Sequence, residues 1–357
     1  MEPLTQGLLG AAVGQLAAPR LGGRALGWGA LVGMSPDLDV LLAPLHGGYG
    51  ELVYHRGTTH SLWFGLVAGP LIAWLLWRWR DPERRTELRA WVRLCVLALV
   101  THPLLDVFTP YGTQLFAPFW RGRLALHGVG IIDPFYTVIL AWAVVLARQA
   151  AAIGPLRWRD QRRTIMALAL STVYLLAGVA LNELARTQVR PLLAEGSEVR
   201  VYPTLLQPFL RRVVARENGR IWVGWHTSLA PGCPYWQSLP VPAETGEGRE
   251  LAATWEGRTM RWFALDDVVL HTTPLPGGGS LVEMEDLRYG LPGQAPGRSM
   301  WGVRARYNAG GAREGPVERF RRDGRTARFS GLGSLTLGRF HQAGLAGELP
   351  AACANRS

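Results

Sequence analysis

Acidic and imidazole side chains recur at the ends of long apolar segments in the first half of this chain. The four motifs that carry them are residues 35–39 (SPDLD), 55–61 (HRGTTHS), 101–106 (THPLLD) and 132–134 (IDP). A carboxylate or imidazole at membrane depth costs several kcal/mol unless it is paired, hydrated or bound to a metal ion. We therefore expect the four motifs to converge on one metal site.

The apolar segments themselves predict a membrane domain. They are residues 4–18, 26–45, 61–79, 90–108, 131–147 and 164–185. Because a crossing takes about 20 residues, the first segment is marginal, and Pro36 with two aspartates interrupts the second. Small residues predict close packing of the first two helices, namely Gly10, Gly14, Gly29 and Gly33. The predicted fold class of residues 1–186 is an α-helical polytopic membrane domain of about six helical segments.

The remainder has the pattern of a β-rich soluble domain. Alternating apolar residues predict strands at residues 209–215, 220–226, 261–265, 268–273, 280–285 and 300–307. Asn218-Gly219, between the first two strands, is a hairpin-turn signal. We predict a β-rich extracytoplasmic domain over residues 187–345 and a loose tail over residues 346–357.

The net charge of +11 is carried almost wholly by arginine. A nucleic-acid-binding protein needs a basic face on a folded soluble module, and no such face stands out. Many of the arginines instead lie in short loops between apolar segments, where positive charge sets membrane orientation. We expect no nucleic-acid partner; the expected partners are membrane lipids and a small-molecule or lipid substrate.

The distribution of arginine also predicts the topology. The basic loops lie near Arg20 and Arg24, at residues 78–93 and at residues 148–163, and all three are predicted to be cytoplasmic. With six alternating segments, the N-terminus and the C-terminal domain then face outward. Although only arginine positions enter this assignment, it gathers eight polar residues near the outer end: Gln6, Asp37, Asp39, His55, His60, His102, Asp106 and Asp133.

The three cysteines have no metal-ligand spacing. Cys95 lies inside an apolar segment and is predicted to be a small packing residue. Cys233 and Cys353 could pair if their compartment is oxidising. Residues 1–6 lack a basic leader and a clear cleavage site, so we do not expect a removable signal peptide.

The spacing of the polar residues fits metal chemistry. His102 and Asp106 are four residues apart and share one helix face, where they can chelate one ion or bridge two. The side chains of Asp37 and Asp39, which are two residues apart, can point in the same direction only if Pro36 disrupts the helix or the segment is extended. Mixed imidazole and carboxylate ligands suit Zn²⁺ first, with Mn²⁺ or Fe²⁺ as alternatives. An ion with an open position activates water as a nucleophile near neutral pH.

Each motif also has a purely structural explanation. A single histidine is more often packed than bound to metal, Asp37 and Asp39 fit a hydrated helix break, and His102 with Asp106 fits a hydrogen-bonded pair. Asp133 before Pro134 fits a helix N-terminus as well as it fits a ligand.

Each of the remaining polar residues of the motifs has two possible roles. Thr59 and Thr101 could orient ligands or cap helices. Arg56 could bind a substrate phosphate or neutralise the neighbouring carboxylates. His55 and His60 bracket a Gly-Thr-Thr turn that brings both imidazoles to the site or leaves one outside it.

The ordered motifs resemble a known family when they are taken with residues 3–7 (PLTQG), Gly10, Thr109 and Tyr111-Gly112. This is the bacterial inner-membrane family described as metal-dependent hydrolases that are LexA-binding or LexA-regulated. The resemblance covers residues 1 to about 150. It implies a hydrolase of the inner membrane whose ligands are Asp37 or Asp39, His55 or His60, His102 and Asp106. Many members have histidine at the position of Gln6, whose amide could instead bond a metal-bound water.

A shorter similarity concerns the substrate. Pro36-Asp37 and the His102-x-x-x-Asp106 pair are similar to the zinc-dependent phospholipase C and P1 nuclease group. The helical active sites of that group bind several zinc ions and cleave phosphodiesters. The similarity implies a phosphoester substrate.

These arguments predict a membrane-embedded metal-dependent hydrolase that acts on a phosphoester or lipid-like substrate through a metal-activated water. The expected cofactor is a divalent ion, Zn²⁺ before Mn²⁺ or Fe²⁺. The expected metal ligands are Asp39, His55, His102 and Asp106. The expected catalytic residues are Asp37, Arg56 and His60, and the expected supporting residues or further ligands are Gln6, Thr59, Thr101 and Asp133.

Two other classes of function use the same residues differently. A transporter would relay cations through the cluster, but it predicts polar residues continuing to the cytoplasmic end, and residues 71–77 and 140–146 are uniformly apolar. A non-catalytic membrane scaffold would bind a partner through its outer domain and would tolerate loss of every candidate ligand.

Overall fold

The computed structural model describes residues 1–80, 83, 86–152, 158–229, 235–240, 245–290, 297–322 and 336–337. The first of its two units is Met1–Val179 with Leu205–Pro208, and the second is Ala180–Thr204 with the described residues from Phe209 onward. The predicted tail at residues 346–357 lies outside the described residues, as do Cys233 and Cys353.

The first unit is helical. Its helices are α1 (Pro3–Ala17), α2 (Arg24–Met34), α3 (Gly50–Tyr54), α4 (Leu62–Arg80), α5 (Leu88–Asp106), α6 (Pro134–Ala152) and α7 (Trp158–Val189), the last of which continues into the second unit. Two 3-10 segments, Ser35–Leu41 and Thr58–His60, carry acidic and imidazole residues of the motifs.

Three helical stretches are long and apolar enough to cross a membrane: Leu62–Arg80, Leu88–Asp106 and Gln161–Leu192. Pro134–Gln149 is apolar but shorter. Helices α1 and α2 have 15 and 11 residues, whereas a crossing takes about 20. The predicted helical membrane domain is confirmed to this extent, with three candidate spans among the described residues.

Helix α1 lies at the centre of the first unit, where it packs against α2, α5 and α6. Gly10 and Gly29 bring the backbones of α1 and α2 into contact, because a Cβ added at either glycine would lie 2.3 Å from the carbonyl oxygen of the other. Small residues commonly allow such contact between membrane helices. The predicted close packing of these two helices is confirmed.

Helices α4 and α5 pack together, and their apolar core also includes Ala25 and Val32 of α2. Trp91, Leu94 and Cys95 on α5 are fully buried in it. Cys95 is a free thiol, so its predicted role as a small packing residue is confirmed. The opposite face of α4 exposes large apolar side chains, including Val67 and Leu71. Such an exposed apolar face is expected of a helix that meets lipid.

The second unit contains two four-stranded antiparallel sheets. The first sheet has the order β1 (Glu198–Pro203), β2 (Leu210–Glu217), β3 (Arg220–Thr227), β4 (Tyr235–Pro240), and the second has the order β5 (Val268–Pro274), β6 (Ser280–Asp286), β7 (Trp301–Tyr307), β8 (Arg313–Arg321). Asn218 and Gly219 both have positive φ in the turn that joins β2 to β3. The predicted β-rich class and this hairpin are confirmed.

The strand predicted at residues 261–265 is wrong. Helices α8 (Gly246–Ala253) and α9 (Trp255–Phe263) lie between the two sheets in the chain. The side chains of Thr245 and Thr254 accept hydrogen bonds from the backbone of the first turns and so begin the two helices. The alternation in residues 261–265 is therefore overridden by a capped helix that begins upstream.

The contact between α1 and α2 generates a prediction. Gly29→Ala is expected to lower the free energy of unfolding by about 1–3 kcal/mol, because the new methyl group collides with backbone and separates the helices. Gly27→Ala is a matched control on the same helix, since a Cβ there meets nothing within 4 Å. That change should stabilise the helix by about 0.5–1 kcal/mol. Thermal unfolding of the full chain in detergent measures both variants, and equal melting temperatures would contradict the close packing.

Candidate metal centre

The first acidic motif lies where α2 ends. Pro36 cannot continue the hydrogen-bonding pattern of an α-helix, and the chain passes into the 3-10 segment Ser35–Leu41. Asp37 and Asp39, two residues apart in this tighter segment, point to two different groups of side chains that share only His60. The structure does not bring both carboxylates to one point; it places each in its own group of side chains.

The second motif forms a tight turn. Arg56 adopts a positive φ of 57°, and a Cβ at Gly57 would lie 2.7 Å from the Tyr54 carbonyl oxygen. Only glycine fits this approach without a shift of backbone. The turn places His55 and His60 on the same cluster, with ring centroids 5.6 Å apart.

The third motif lies on α5, where His102 and Asp106 are buried one turn apart. His102 Nδ1 lies 2.6 Å from the Gly33 carbonyl oxygen. Since a carbonyl oxygen can only accept, Nδ1 carries the hydrogen and the lone pair of the neutral ring lies on Nε2. This assignment directs Nε2 towards the carboxylates of Asp37 and Asp106, at 3.5 Å and 3.6 Å.

Four side chains thus form what we call the ion group: Asp37, His60, His102 and Asp106. Each offers one ligand atom, and these atoms all lie within 4.8 Å of one another. His60 Nε2 is 3.2 Å from Asp37 and 3.5 Å from Asp106. Two imidazoles and two carboxylates are a donor set that proteins use for zinc, manganese and iron.

Several buried polar atoms at the ion group have no hydrogen-bond partner among the described residues. They are Asp37 Oδ2, His102 Nε2, Asp106 Oδ2, Gln6 Oε1 and Arg56 Nε. Buried polar atoms are normally paired, and each unpaired one costs about 1–3 kcal/mol. Three of these atoms belong to the ion group itself and are electron-pair donors, so the residues present fit a cation.

A second set, the outer group, consists of Asp39, His55 and His60. Here the carboxylate is already satisfied. Asp39 Oδ1 accepts from His55 Nδ1 at 2.7 Å, and Oδ2 accepts from the Thr59 hydroxyl at 2.7 Å and the Arg56 backbone N–H at 3.3 Å. The outer group therefore lacks the unpaired carboxylate oxygens of the ion group.

His60 belongs to both groups. Its Nδ1 lies 3.2 Å from Asp39 and its Nε2 lies 3.2 Å from Asp37. Burial disfavours the charged imidazole, but the carboxylates of Asp37 and Asp39 outweigh burial and raise the pKa of His60 above its ordinary value. A neutral imidazole has one lone pair, so His60 can serve as ligand to only one group at a time.

The two oxygens of Asp106 have different surroundings. Oδ1 accepts hydrogen bonds from the Met1 ammonium group and from Gln6 Nε2, and it lies 3.2 Å from Arg56 Nη2. Oδ2 has no hydrogen bond and faces His60 and His102. The cationic side thus stabilises the buried carboxylate while one oxygen remains available for a ligand.

Arg56 is itself held in place. Its Nη1 donates to the Thr109 hydroxyl at 2.8 Å, and its guanidinium lies 4.7 Å from the centre of the Tyr111 ring. The side chain is buried. The unpaired Nε–H therefore sits on a rigid guanidinium beside Asp106.

The structure unites nine of the eleven predicted site residues: Gln6, Asp37, Asp39, His55, Arg56, Thr59, His60, His102 and Asp106. The four predicted ligands are divided, however. Asp39 and His55 belong to the outer group, whereas His102 and Asp106 belong to the ion group. The spacing of Asp37 and Asp39 alone cannot reveal this division, because it depends on where the 3-10 segment begins.

Thr101 and Asp133 belong to neither group. The Thr101 hydroxyl donates to the Leu97 carbonyl oxygen of its own helix at 2.7 Å. Asp133 accepts from the Tyr136 backbone N–H at 3.1 Å at the start of α6, and from the Tyr174 hydroxyl. Of its two predicted roles, the structure shows capping.

Met1 and Gly33 are two contributors that sequence reasoning missed. The Met1 contact with Asp106 depends on the tertiary path of α1 and has no motif. Gly33 was identified for packing, but its carbonyl oxygen also sets the His102 tautomer. Thr109 and Tyr111, which orient Arg56, were part of the family motif without an assigned role.

The helical half of the chain is similar to known inner membrane proteins. Residues 1–185 match the family described as YdjM inner membrane protein. The chain is 39% identical over 84 residues to the inner membrane protein YbcI of Escherichia coli (strain K12), covering 24% of this chain and 46% of that protein. It is 33% identical over 101 residues to the uncharacterized protein YfhP of Bacillus subtilis (strain 168), covering 28% and 30%.

The match spans less than half the length of each of these curated relatives. No solved structure matches the chain. The predicted LexA-regulated inner-membrane resemblance is confirmed at the level of the family, because the matched residues include all four motifs and more than half of the sequence. The chain belongs to the YdjM inner membrane protein family.

Proposed function

We propose that this protein is a membrane-embedded, metal-dependent hydrolase that acts on a phosphoester or lipid-like substrate. The observation that carries the proposal is the ion group, in which two imidazoles and two carboxylates converge with unpaired ligand atoms in a buried site. Buried carboxylates and imidazoles without a partner lower the stability of the folded protein, and a bound cation would remove this cost. A divalent ion supplies Lewis acidity and a water nucleophile at neutral pH.

The donor set bears on the identity of the ion. Asp37, His60, His102 and Asp106 would hold the ion, and mixed imidazole and carboxylate ligands suit Zn²⁺, Mn²⁺ or Fe²⁺.

Arg56 is proposed to bind the phosphoester. Its guanidinium is fixed by Thr109 and Tyr111, and its Nε–H has no hydrogen-bond acceptor among the described residues. A planar guanidinium is well suited to phosphate oxygens. Arg56 would thus hold the substrate beside the ion group and stabilise negative charge that develops during hydrolysis.

His55 is proposed to act as the general acid–base group of the hydrolysis. Its side chain is 18% exposed, whereas those of His60 and His102 are fully buried. Nδ1–H donates to Asp39, which leaves the lone pair on Nε2. A carboxylate that orients an imidazole in this way is a common arrangement for general acid–base catalysis.

Metal content provides the first test of the proposal. The purified full chain is expected to hold about one divalent ion, because His60 can serve only one of the two groups. His102→Ala and Asp106→Ala should each abolish stoichiometric metal, since each removes a ligand atom of the ion group. Elemental analysis of the protein in detergent measures the ratio and names the ion.

Two control variants sharpen this test. Thr101→Ala lies next to His102 on α5 but belongs to neither group, so it should retain the full metal content. Asp39→Asn should retain the ion with affinity weakened by roughly 10–100-fold, as expected when a residue that orients a ligand is changed. Stoichiometric metal in both ligand variants would refute the assignment.

Activity separates the proton-transfer role from metal binding. His55→Ala is expected to keep its metal and to lower hydrolysis by about 10²–10⁴-fold, the usual contribution of a general acid or base. The assay uses bis(p-nitrophenyl) phosphate and phospholipid vesicles of phosphatidylethanolamine and phosphatidylglycerol. Loss of metal from His55→Ala would instead place its imidazole among the ligands.

The proposed orientation follows from the arginine-rich loops. In this orientation the basic ends of the candidate spans are cytoplasmic, the metal centre lies at the outer end and the second unit is extracytoplasmic. This arrangement is supported by the basic residues at the opposite ends of the candidate spans, such as Arg78, Arg80, Arg89 and Arg93.

Cysteine labelling tests the orientation. In a chain whose three native cysteines are replaced, Glu195→Cys in the second unit is expected to react with a membrane-impermeant maleimide on intact cells. Arg89→Cys, near the start of α5, should react only after the membrane is permeabilised. Both residues are exposed, so access is limited by the membrane alone, and the reverse pattern would invert the proposed topology.

A further inference from the structure

An apolar cavity of about 410 Å³ lies in the first unit beside the metal centre. Its walls come from α1, α5, α6 and α7 and from the chain that follows α5. The volume falls in the range of about 300–1,000 Å³ that is typical of small-molecule sites. Nothing in the proposed mechanism uses this cavity.

The cavity and the ion group share helix α5 but use different faces of it. His102 and Asp106 contribute to the ion group, whereas the adjacent face, carrying Thr101, Leu104 and Leu105, lines the cavity. Helix α1 is divided similarly, with Gln6 at the metal centre and Leu9 and Val13 in the cavity wall. A molecule that fills the cavity therefore lies next to the helices that position the metal ligands.

The polar groups in the cavity wall are already satisfied. The Ser171 and Thr172 hydroxyls donate to the Leu168 carbonyl oxygen at 2.8 Å and 3.0 Å, and Thr101 donates within α5. The Tyr136 hydroxyl hydrogen-bonds with Ser171. Because these hydroxyls are engaged within the protein, the cavity selects an apolar occupant.

The surroundings determine which apolar molecule is available. Two walls belong to the candidate spans Leu88–Asp106 and Gln161–Leu192. At the rim, Leu104 and Leu126 are 42% and 45% exposed. A cavity whose rim opens on membrane-spanning helices meets the acyl chains of the bilayer, and an apolar space of this size gains dispersion contacts when hydrocarbon fills it.

We propose that this cavity binds one acyl chain of a membrane phospholipid and so presents its phosphoester to the metal centre. The inference rests on the proposed hydrolase function and deepens it, because it names the substrate class as a phospholipid held by its tail. It also assigns to the apolar face of α5 a role in substrate binding.

Photocrosslinking tests the cavity directly. The full chain is reconstituted in nanodiscs with a phosphatidylglycerol that carries a diazirine in one acyl chain, and crosslinked residues are identified by mass spectrometry. We expect labelling of cavity-lining segments of α1 and α7, including Leu9 and Leu168. Unlabelled phosphatidylglycerol should compete with this labelling.

A matched pair of variants distinguishes the cavity from lipid on the outer surface. Thr172→Trp places an indole at the cavity wall, and displacing about two methylene groups should reduce cavity labelling roughly tenfold. Val173→Trp makes a comparable change at the next residue of α7, which is 59% exposed and does not line the cavity, so labelling should persist. Thr172 and Val173 are both exposed on α7, so we expect both tryptophan variants to fold, which the melting temperature checks.

Three outcomes would overturn the inference. They are labelling confined to outward-facing residues, labelling unchanged by Thr172→Trp, and labelling by a diazirine free fatty acid without labelling by the phospholipid. Metal content of the same samples separates this inference from the proposed function. Cavity labelling without metal would leave the lipid site standing and reject the hydrolase, whereas full metal content without labelling would reject the lipid site alone.

Discussion

The hydrogen bond between His102 and the Gly33 carbonyl oxygen couples the packing of the helices to the chemistry of the site. Gly33 can reach α5 only because α2 lies against α1, where a Cβ at Gly33 would come within 2.9 Å of the Gly10 Cα. The same close packing that holds the first unit together therefore fixes which nitrogen of His102 carries the hydrogen. With the opposite tautomer, Nε2 would carry a hydrogen in place of the lone pair that a cation needs.

The carboxylates of the site differ in how many hydrogen bonds their oxygens accept. Both oxygens of Asp39 accept hydrogen bonds, one of them from His55. Asp106 instead has one oxygen that accepts hydrogen bonds and one that accepts none. A buried charge is tolerated when it is paired. The Arg56 guanidinium pairs with Asp106 without occupying the oxygen that faces the ion group. Stabilising the carboxylate and keeping it available as a ligand are thus separate tasks of its two oxygens.

Much of this arrangement could be predicted from residue type and loop charge. The cost of burying polar groups predicted that four motifs converge on one site, and three of them do contribute, although to two groups. The i, i+4 spacing of His102 and Asp106 predicted their shared role. The division between Asp37 and Asp39 could not be predicted, because the relative directions of two side chains two residues apart depend on whether the segment is 3-10, α-helical or extended. Asp133 could not be assigned from its pattern either, because a ligand and a helix cap fit that pattern equally; the structure shows its carboxylate accepting from the Tyr136 backbone N–H and the Tyr174 hydroxyl. In the second unit, caps at Thr245 and Thr254 overrode a strand-like alternation.

Helix α5 has a polar face that carries metal-site residues and an adjacent apolar face that lines the cavity. A water-soluble phosphoester would need only the polar face, and the adjacent face would then be expected to pack against protein without a space. Here that face borders a cavity whose hydroxyls are all engaged within the protein. The energetic gain from filling it with hydrocarbon is available only to a substrate that carries an acyl chain, so the cavity would discriminate by the tail while Arg56 and the ion group act on the head. Recognition of the tail and chemistry at the head would then be divided between neighbouring faces of one helix.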